Sequence, residues 1–118
     1  MIGSTDNEFV KLAWKNAHDG LKATTSWFFA DTQRDLGDNW GDGSNSLVEQ
    51  LGVFFKPAGA ALRATFIVDP ENVIQHVTVN NLNVGRSPEE TLRVLDACQT
   101  GELCPCNRSV GGATLNAA

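Results

Sequence analysis

Three cysteines near the C-terminal end of the sequence are its most reactive side chains. Cys104 and Cys106 flank a proline, and Cys98 precedes them on the chain. Two thiols in an exposed tail can exchange disulfides, because their thiolates are accessible to attack. A metal site is disfavoured, since zinc pairs are usually spaced C-x₂₋₄-C and only His18, His76 and Cys98 could complete one. Thiol redox chemistry is therefore favoured, with two inert tail thiols as the alternative.

A loop in the first half of the chain nearly matches a calcium-binding loop. Asp38, Asp42, Gly43 and Glu49 stand at positions 1, 5, 6 and 12 of the pattern D-x-[DN]-x-[DN]-G-x₅-E. Trp40 occupies position 3, where the pattern needs an oxygen ligand. We therefore interpret the segment as a solvated, turn-rich loop without a metal.

Two arginines are candidates for anion binding. Arg63 opens an apolar segment, where an unpaired guanidinium would be costly to bury. It is either a strand-end charge in solvent or a group aimed at a site, and Arg86 has the same two interpretations, with solvent slightly favoured. Neither His18 nor His76 has a partner at a recognisable spacing, so the sequence does not support a hydrolytic triad.

Composition and charge narrow the class of protein. The 118 residues include 14 acidic and 9 basic side chains, which give a net charge of −5 and argue against nucleic-acid binding. No apolar run approaches the ~18 residues that span a bilayer, and the N-terminus lacks the pattern of a secretion signal. These features predict one soluble, cytoplasmic domain with no membrane partner.

The first elements are predicted from capping signals and apolar spacing. Residues 5–8 match a T-x-x-E capping box, which predicts a helix that Thr5 caps and Gly20 ends. Residues 1–3, which remain before this helix, are too few to predict a strand. Residues 26–30 predict a buried strand, and residues 32–36 a helical turn.

The middle of the chain predicts a short helix and a hairpin. A second capping box at residues 46–49 opens a brief helix that Gly52 closes, and residues 56–59 form a turn. Residues 63–68 and 73–79 are rich in β-branched side chains, and four residues connect them. This pattern predicts a β-hairpin.

A third helix-start signal lies before the C-terminal tail. Ser87 as N-cap with Pro88 at the first position predicts a helix that Gly101 ends. Leu92, Leu95 and Cys98 follow at three-residue spacing, so we expect Cys98 to pack on the helix as a small hydrophobe. The tail from residue 102 is predicted to be irregular.

Several segments together resemble the typical two-cysteine peroxiredoxins, most closely the bacterial alkyl hydroperoxide reductase C type. These segments are STDNEF (4–9), LAW (12–14), ADT (30–32), RATFIVDP (63–70), VNNLNVGRS (79–87) and GELCP (101–105). The resemblance covers nearly the whole chain. It implies an α/β, thioredoxin-like fold and the thiol-dependent reduction of hydrogen peroxide and organic hydroperoxides.

The resemblance also implies roles for individual residues. In that family a peroxidatic thiolate attacks the O–O bond, and a resolving cysteine of the partner subunit forms a disulfide that a thioredoxin-like or flavoprotein reductase reduces. Cys104 resembles the resolving cysteine, and Cys106 an extra thiol of some bacterial members. Arg63 resembles the arginine that stabilises the thiolate and orients the peroxide, and Arg86 the second arginine of that network. Homodimers and ring oligomers are implied for the complete enzyme, with no cofactor.

One expected motif is missing from the sequence. The family's peroxidatic cysteine lies in its first half, in a motif like F-V-C-P-T-E, which does not occur here. We therefore expect the chain to correspond to the C-terminal two-thirds of a peroxiredoxin, without the N-terminal strands and the peroxidatic helix. On this view residues 1–101 are an incomplete thioredoxin-like domain, and residues 102–118 are the tail that carries the resolving cysteine.

This departure has functional consequences. We expect no peroxidase turnover from the chain alone, because no thiolate would lie beside Arg63. The hairpin would expose an open edge, which invites aggregation or a partner strand. Three explanations stay open: a fragment of a longer enzyme, a half that complements a separate N-terminal half, or a non-catalytic redox or interaction module.

Overall fold

The structure, a computed structural model, describes residues 1–32 and 46–115. The chain divides into two compact units, Met1–Leu62 and Arg63–Ala118. The helical turn predicted at 32–36 and most of the calcium-like loop lie outside the described residues, so both stay predictions.

The first unit contains short elements. They are β1 (Ile2–Ser4), α1 (Glu8–Ala17), α2 (Asp19–Lys22), β2 (Phe28–Ala30), α3 (Leu47–Gln50), β3 (Phe54–Phe55), a 3-10 turn (Lys56–Ala58) and β4 (Ala60–Ala61). The second unit contains β5 (Arg63–Val68), β6 (Ile74–Asn80) and α4 (Pro88–Thr100). In the described part of the chain the strands form three separate two-stranded sheets, β1–β2, β3–β4 and β5–β6.

The start of the chain corrects one prediction, because the residues before α1 do form a strand. β1 pairs in parallel with β2, and Gly3 lies opposite Phe29. A β-carbon on Gly3 would lie 1.9 Å from Cζ of Phe29, so the aromatic ring occupies the space of a side chain. Three residues are enough here because β2 supplies the hydrogen-bonding partners that an isolated strand lacks.

The cap and the end of α1 were also predicted wrongly. Asn7, not Thr5, caps the helix, and its Oδ1 accepts a hydrogen bond from the amide of Val10 at 3.0 Å. Asparagine is a stronger N-cap than threonine, so the helix starts at the later residue. The helix ends before His18, whose backbone is extended, and Gly20 lies inside α2.

A buried polar contact organises the first unit. Ser46 is fully buried and caps α3, as predicted, by accepting from the amide of Glu49. Its hydroxyl donates to the Asp31 carboxylate at 3.1 Å, and the amide of Val48 donates to the same oxygen at 2.7 Å. Asp31 therefore joins the end of β2 to the start of α3.

The predicted buried strand at residues 26–30 is shorter and more exposed than expected. β2 covers only Phe28–Ala30, whose side chains are half-buried. Trp27 lies outside the strand and is 80% exposed. Among the described residues β1 is the only partner of β2. A sheet of two strands gives Trp27 no second layer to pack against.

The predicted hairpin of the second unit is confirmed. β5 and β6 are antiparallel, with Arg63 opposite Asn80. The Asp69 carboxylate closes the connection by accepting from the amide of Val73 at 2.8 Å and from Nε2 of Gln75 at 2.7 Å. These bonds, from the Val73 amide first, hold the pKa of Asp69 below its ordinary value.

α4 begins and ends where the sequence predicts. Ser87 accepts from the amide of Glu90 at 3.2 Å, and Gly101 takes the left-handed conformation, φ 65°, directly after Thr100. The packing prediction for this helix was wrong: Cys98 is exposed, and Leu92 is 58% exposed. Among the described residues α4 packs only slightly against the strands of the hairpin, so its apolar side chains stay partly exposed.

Candidate functional site

Two arginines lie near the start of β5. Arg63 is the first residue of β5, and Arg86 Nη1 donates a hydrogen bond to the carbonyl oxygen of the next residue, Ala64, at 3.0 Å. Across the hairpin, Asn80 Nδ2 donates to the carbonyl oxygen of Gly85 at 2.8 Å, which ties the segment before Arg86 to the end of β6. We call these five residues the arginine corner.

The arginine corner is positively charged and open to solvent. Both arginines are exposed, and in the described part of the chain neither forms an ion pair with a carboxylate. A guanidinium without a counterion can bind an anion through charge-assisted hydrogen bonds. The corner is therefore suited to a thiolate or another small anion.

The thiols lie at the other end of α4. Cys104 is half-buried, its Sγ is 3.5 Å from Oγ1 of Thr100, and it donates to the carbonyl oxygen of Glu102 at 3.6 Å. Cys98 and Cys106 are exposed, and all three thiols are free. This part of the chain thus presents three thiols, none of them in a disulfide, within a short stretch of sequence.

A buried arginine that no pattern in the sequence predicts folds the tail onto α4. The side chain of Arg108 is 4% exposed, and its Nη1 lies 2.5 Å from the carboxylate of Asp96. Its Nε donates to the carbonyl oxygen of Gly112 at 2.8 Å, while the amide of Gly111 donates to Asp96 at 3.1 Å. The hydrogen bond from Arg108, followed by that from Gly111, lowers the pKa of Asp96. No spacing signal links residues so far apart in a tail of small residues.

Arg93 is a second residue that the sequence analysis missed. It donates to both carboxylate oxygens of Glu90, at 2.7 and 2.8 Å. That hydrogen bond raises the pKa of Arg93, and the charge of Glu90 adds a smaller contribution. The guanidinium of Arg93 is therefore paired with Glu90 on the surface of α4.

The structure does not bring the thiols to the arginine corner. Arg86 directly precedes the N-cap of α4. Cys104 contacts Thr100, which is the last residue of the same helix. The helix has thirteen residues and is about 20 Å long. Within one chain, α4 therefore separates Cys104 from Arg63 and Arg86.

The two histidines belong to different units of the chain, His18 to the first and His76 to the second. His18 follows α1, with its ring centroid 6.2 Å from that of Trp14, and His76 Nε2 is 2.6 Å from Oγ1 of Thr78. Across residues 1–32 and 46–115, no group of three or more His, Cys, Asp or Glu side chains could hold a metal ion. The same residues contain no helix long and apolar enough to cross a membrane.

Curated relatives match nearly the whole chain. Alkyl hydroperoxide reductase C of Mycolicibacterium smegmatis is 43% identical over 114 residues, which are 97% of this chain and 52% of the relative. Peroxiredoxin TSA1 of Saccharomyces cerevisiae is 38% identical over 122 residues, with shares of 98% and 57%. The chain thus spans about half the length of the curated relatives that it matches. No family model matches it.

Solved structures give the same picture. Mycobacterium tuberculosis AhpC superposes with a TM-score of 0.69 and 39% identity, over 89% of this chain and 52% of that one. The reduced 2-Cys peroxiredoxin of Plasmodium vivax gives a TM-score of 0.72 and 28% identity, over 98% and 57%. The predicted resemblance is confirmed, and so is the fold: an α/β chain that forms part of a thioredoxin-like peroxiredoxin fold.

Proposed function

We propose that this chain, similar along nearly its whole length to peroxiredoxins of the alkyl hydroperoxide reductase C type, is the part of a thiol peroxidase that carries the resolving thiol and the arginines. The complete enzyme would reduce hydrogen peroxide and organic hydroperoxides as a cytoplasmic homodimer. A thioredoxin-like or flavoprotein reductase would then return the disulfide to thiols. Residues 1–101 would form the incomplete domain, and residues 102–118 the tail.

The arginine corner is the observation that carries this proposal. Arg86 donates to the carbonyl of Ala64, which follows the exposed first residue of β5, Arg63, and in the described chain neither arginine pairs with a carboxylate. In the proposed reaction Arg63 stabilises a peroxidatic thiolate and orients the peroxide beside it, while Arg86 adds the second positive charge. Electrostatic stabilisation of this kind is strongest where the donors are already in place before the reaction.

Cys104 would act after the peroxide has been cleaved. Its thiolate attacks the sulfur of the peroxidatic sulfenic acid, a disulfide forms, and the hydroxyl leaves as water after protonation. Because α4 separates Cys104 from the corner of its own chain, we propose that it resolves a sulfenic acid at the corner of another subunit.

The three thiols of these 118 residues all lie from position 98 onwards. We therefore propose that the peroxidatic thiol comes from residues outside them, and that these residues alone do not turn over peroxide. The test couples the purified chain to a thioredoxin system and follows NADPH consumption with hydrogen peroxide. We expect no turnover from the chain, and turnover when the N-terminal half of the M. smegmatis relative is added.

Cysteine variants sharpen this test. Cys104→Ser should abolish the recovered turnover, whereas the matched variant Cys106→Ser should retain it. Sustained peroxide-dependent turnover by the chain alone would contradict the proposal.

A second candidate is a non-catalytic redox or interaction module that pairs with a separate N-terminal half. The observation in its favour is an apolar face of the hairpin, where Val68, Val77 and Val79 are about half exposed (50, 46 and 45%). A face of this kind on a two-stranded sheet fits a further strand or layer. Sedimentation of the mixture distinguishes the two: a complex with the N-terminal half that has no turnover favours the module.

A further inference from the structure

The tail after α4 is a closed loop that contains two of the three thiols. The amide of Leu115 donates to the carbonyl oxygen of Leu103 at 2.7 Å, and Thr114 Oγ1 bonds to the carboxylate of Glu102. These contacts join the two ends of the loop. Cys104 and Cys106 lie between the two ends. Whether the loop is closed or open therefore determines how accessible each thiol is.

An ion pair fastens this loop to the helix. Arg108 projects from the middle of the loop to Asp96 on α4, and it is the most buried charged side chain of the second unit's described residues. A buried guanidinium that loses its partner is strongly unfavourable, because the charge stays out of water without compensation. Removing Asp96 should therefore release the loop, and removing Arg108 should also release it because its bonds to Asp96 and to Gly112 are both lost.

The closed loop holds Cys104 in a particular state. Its Sγ contacts Thr100 on the helix and donates to the carbonyl of Glu102, and the sulfur is half-buried while Cys98 and Cys106 are exposed. The rate at which a thiol reacts depends on the access of the reagent, so a thiol held against the helix reacts slowly. Cys106 is exposed and has no hydrogen bond of this kind in the described part of the chain.

We propose that Asp96 and Arg108 are positioning residues that act as a latch, holding the tail on α4 and keeping the Cys104 thiol in a slowly reacting state. The proposal deepens the resolving role proposed for Cys104. It assigns to the pair the control of when that thiol becomes available.

Alkylation by iodoacetamide tests the latch, with the rate of each cysteine followed by mass spectrometry. Arg108→Met and Asp96→Asn should each speed alkylation of Cys104 about threefold to tenfold, the range expected when one hydrogen bond is lost. Cys98 and Cys106, which are already exposed, should change by less than about twofold. The assay uses no peroxide, reductase or second chain, so its outcome does not depend on the proposed peroxidase function.

Two control variants distinguish a specific effect on the position of Cys104 from a general loosening of the structure. Arg108→Lys keeps a cation opposite Asp96 and should keep the slow rate of Cys104. Glu71→Gln removes a charge from an exposed residue of the hairpin connection and should leave all three rates unchanged. An unchanged Cys104 rate in Arg108→Met and Asp96→Asn, or an equal rise at all three cysteines, would overturn the proposal.

Amide hydrogen exchange of the unaltered chain keeps the proposal testable if the variants do not fold. The amides of Gly111 and Leu115 donate to Asp96 and to Leu103, so a latched tail should protect both from exchange. Exchange of both amides at the rate of an unstructured peptide would overturn it.

Discussion

Arg86 donates a hydrogen bond from Nη1 to the carbonyl oxygen of Ala64, across 3.0 Å, and so brings a second guanidinium to the residue that follows Arg63. The two arginines are far apart in sequence, and the antiparallel register of β5 and β6 returns the chain to the start of β5, where Arg86 bonds to Ala64. The bond uses one nitrogen of the Arg86 guanidinium and leaves the other N–H donors of that group for an anion.

The arginine corner should be essential for peroxide reduction in the mixture with the N-terminal half of the M. smegmatis relative. Arg63→Gln should lower the rate of peroxide reduction by about a hundredfold or more, because a preorganised donor to the developing charge is lost. Stopped-flow measurement of peroxide consumption checks this. Lys22→Gln, which removes an exposed cation of the first unit, serves as the control. Equal rates for the two variants would contradict the role of Arg63.

The hairpin connection should lose stability in acid. The amide of Val73 and then the side chain of Gln75 lower the pKa of Asp69 from its ordinary value of 3.8. A lowered pKa in the folded state means that the stabilisation is complete above about pH 4 and is lost as the pH falls through the lowered value. Asp69→Asn should therefore weaken the dependence of hairpin stability on pH between about 2 and 5.

Hydrogen exchange of the Val73 amide, measured through that pH range, follows the hairpin directly. Glu71→Gln is the control, and it should keep the acid dependence of the unaltered chain. A Val73 amide whose protection shows the same pH dependence with and without the Asp69 carboxylate would refute this explanation.

Removal of the two serine caps should lower the free energy of unfolding by different amounts. Ser87→Ala removes an exposed cap and should lower the free energy of unfolding by about 1 kcal/mol. Ser46→Ala should cost more, about 2–3 kcal/mol, because the fully buried hydroxyl also donates to Asp31, which would lose that partner. Denaturation by urea compares the two variants, and an equal or smaller loss for Ser46→Ala would argue against the importance of the Asp31 contact.

Local signals in the sequence predicted the second unit well. The β-branched segments around Asp69 and the Ser87–Pro88 start signal act through neighbouring residues, and both produced the expected elements. The cap of α1 was missed because two candidate residues, Thr5 and Asn7, compete for the same helix start, and only the backbone decides between them.

Contacts between distant residues could not be predicted from the sequence. β1 forms because β2 lies beside it. A pattern of three residues does not predict a pairing partner 26 positions later. The same holds for the pair of Asp96 and Arg108. Helical spacing suggested that Cys98 is buried, but spacing does not show which element covers a helix face, and among the described residues α4 packs only slightly against the hairpin.

The most direct test of the account is to trap the disulfide that Cys104 is proposed to form. The reduced chain is mixed with M. smegmatis alkyl hydroperoxide reductase C in which the resolving cysteine is replaced by serine, and one equivalent of hydrogen peroxide is added. Peptide mapping should show a mixed disulfide between the peroxidatic cysteine of the relative and Cys104, absent from Cys104→Ser and retained in Cys106→Ser. A mixture without any mixed disulfide, or one joined through Cys98 in place of Cys104, would contradict the account.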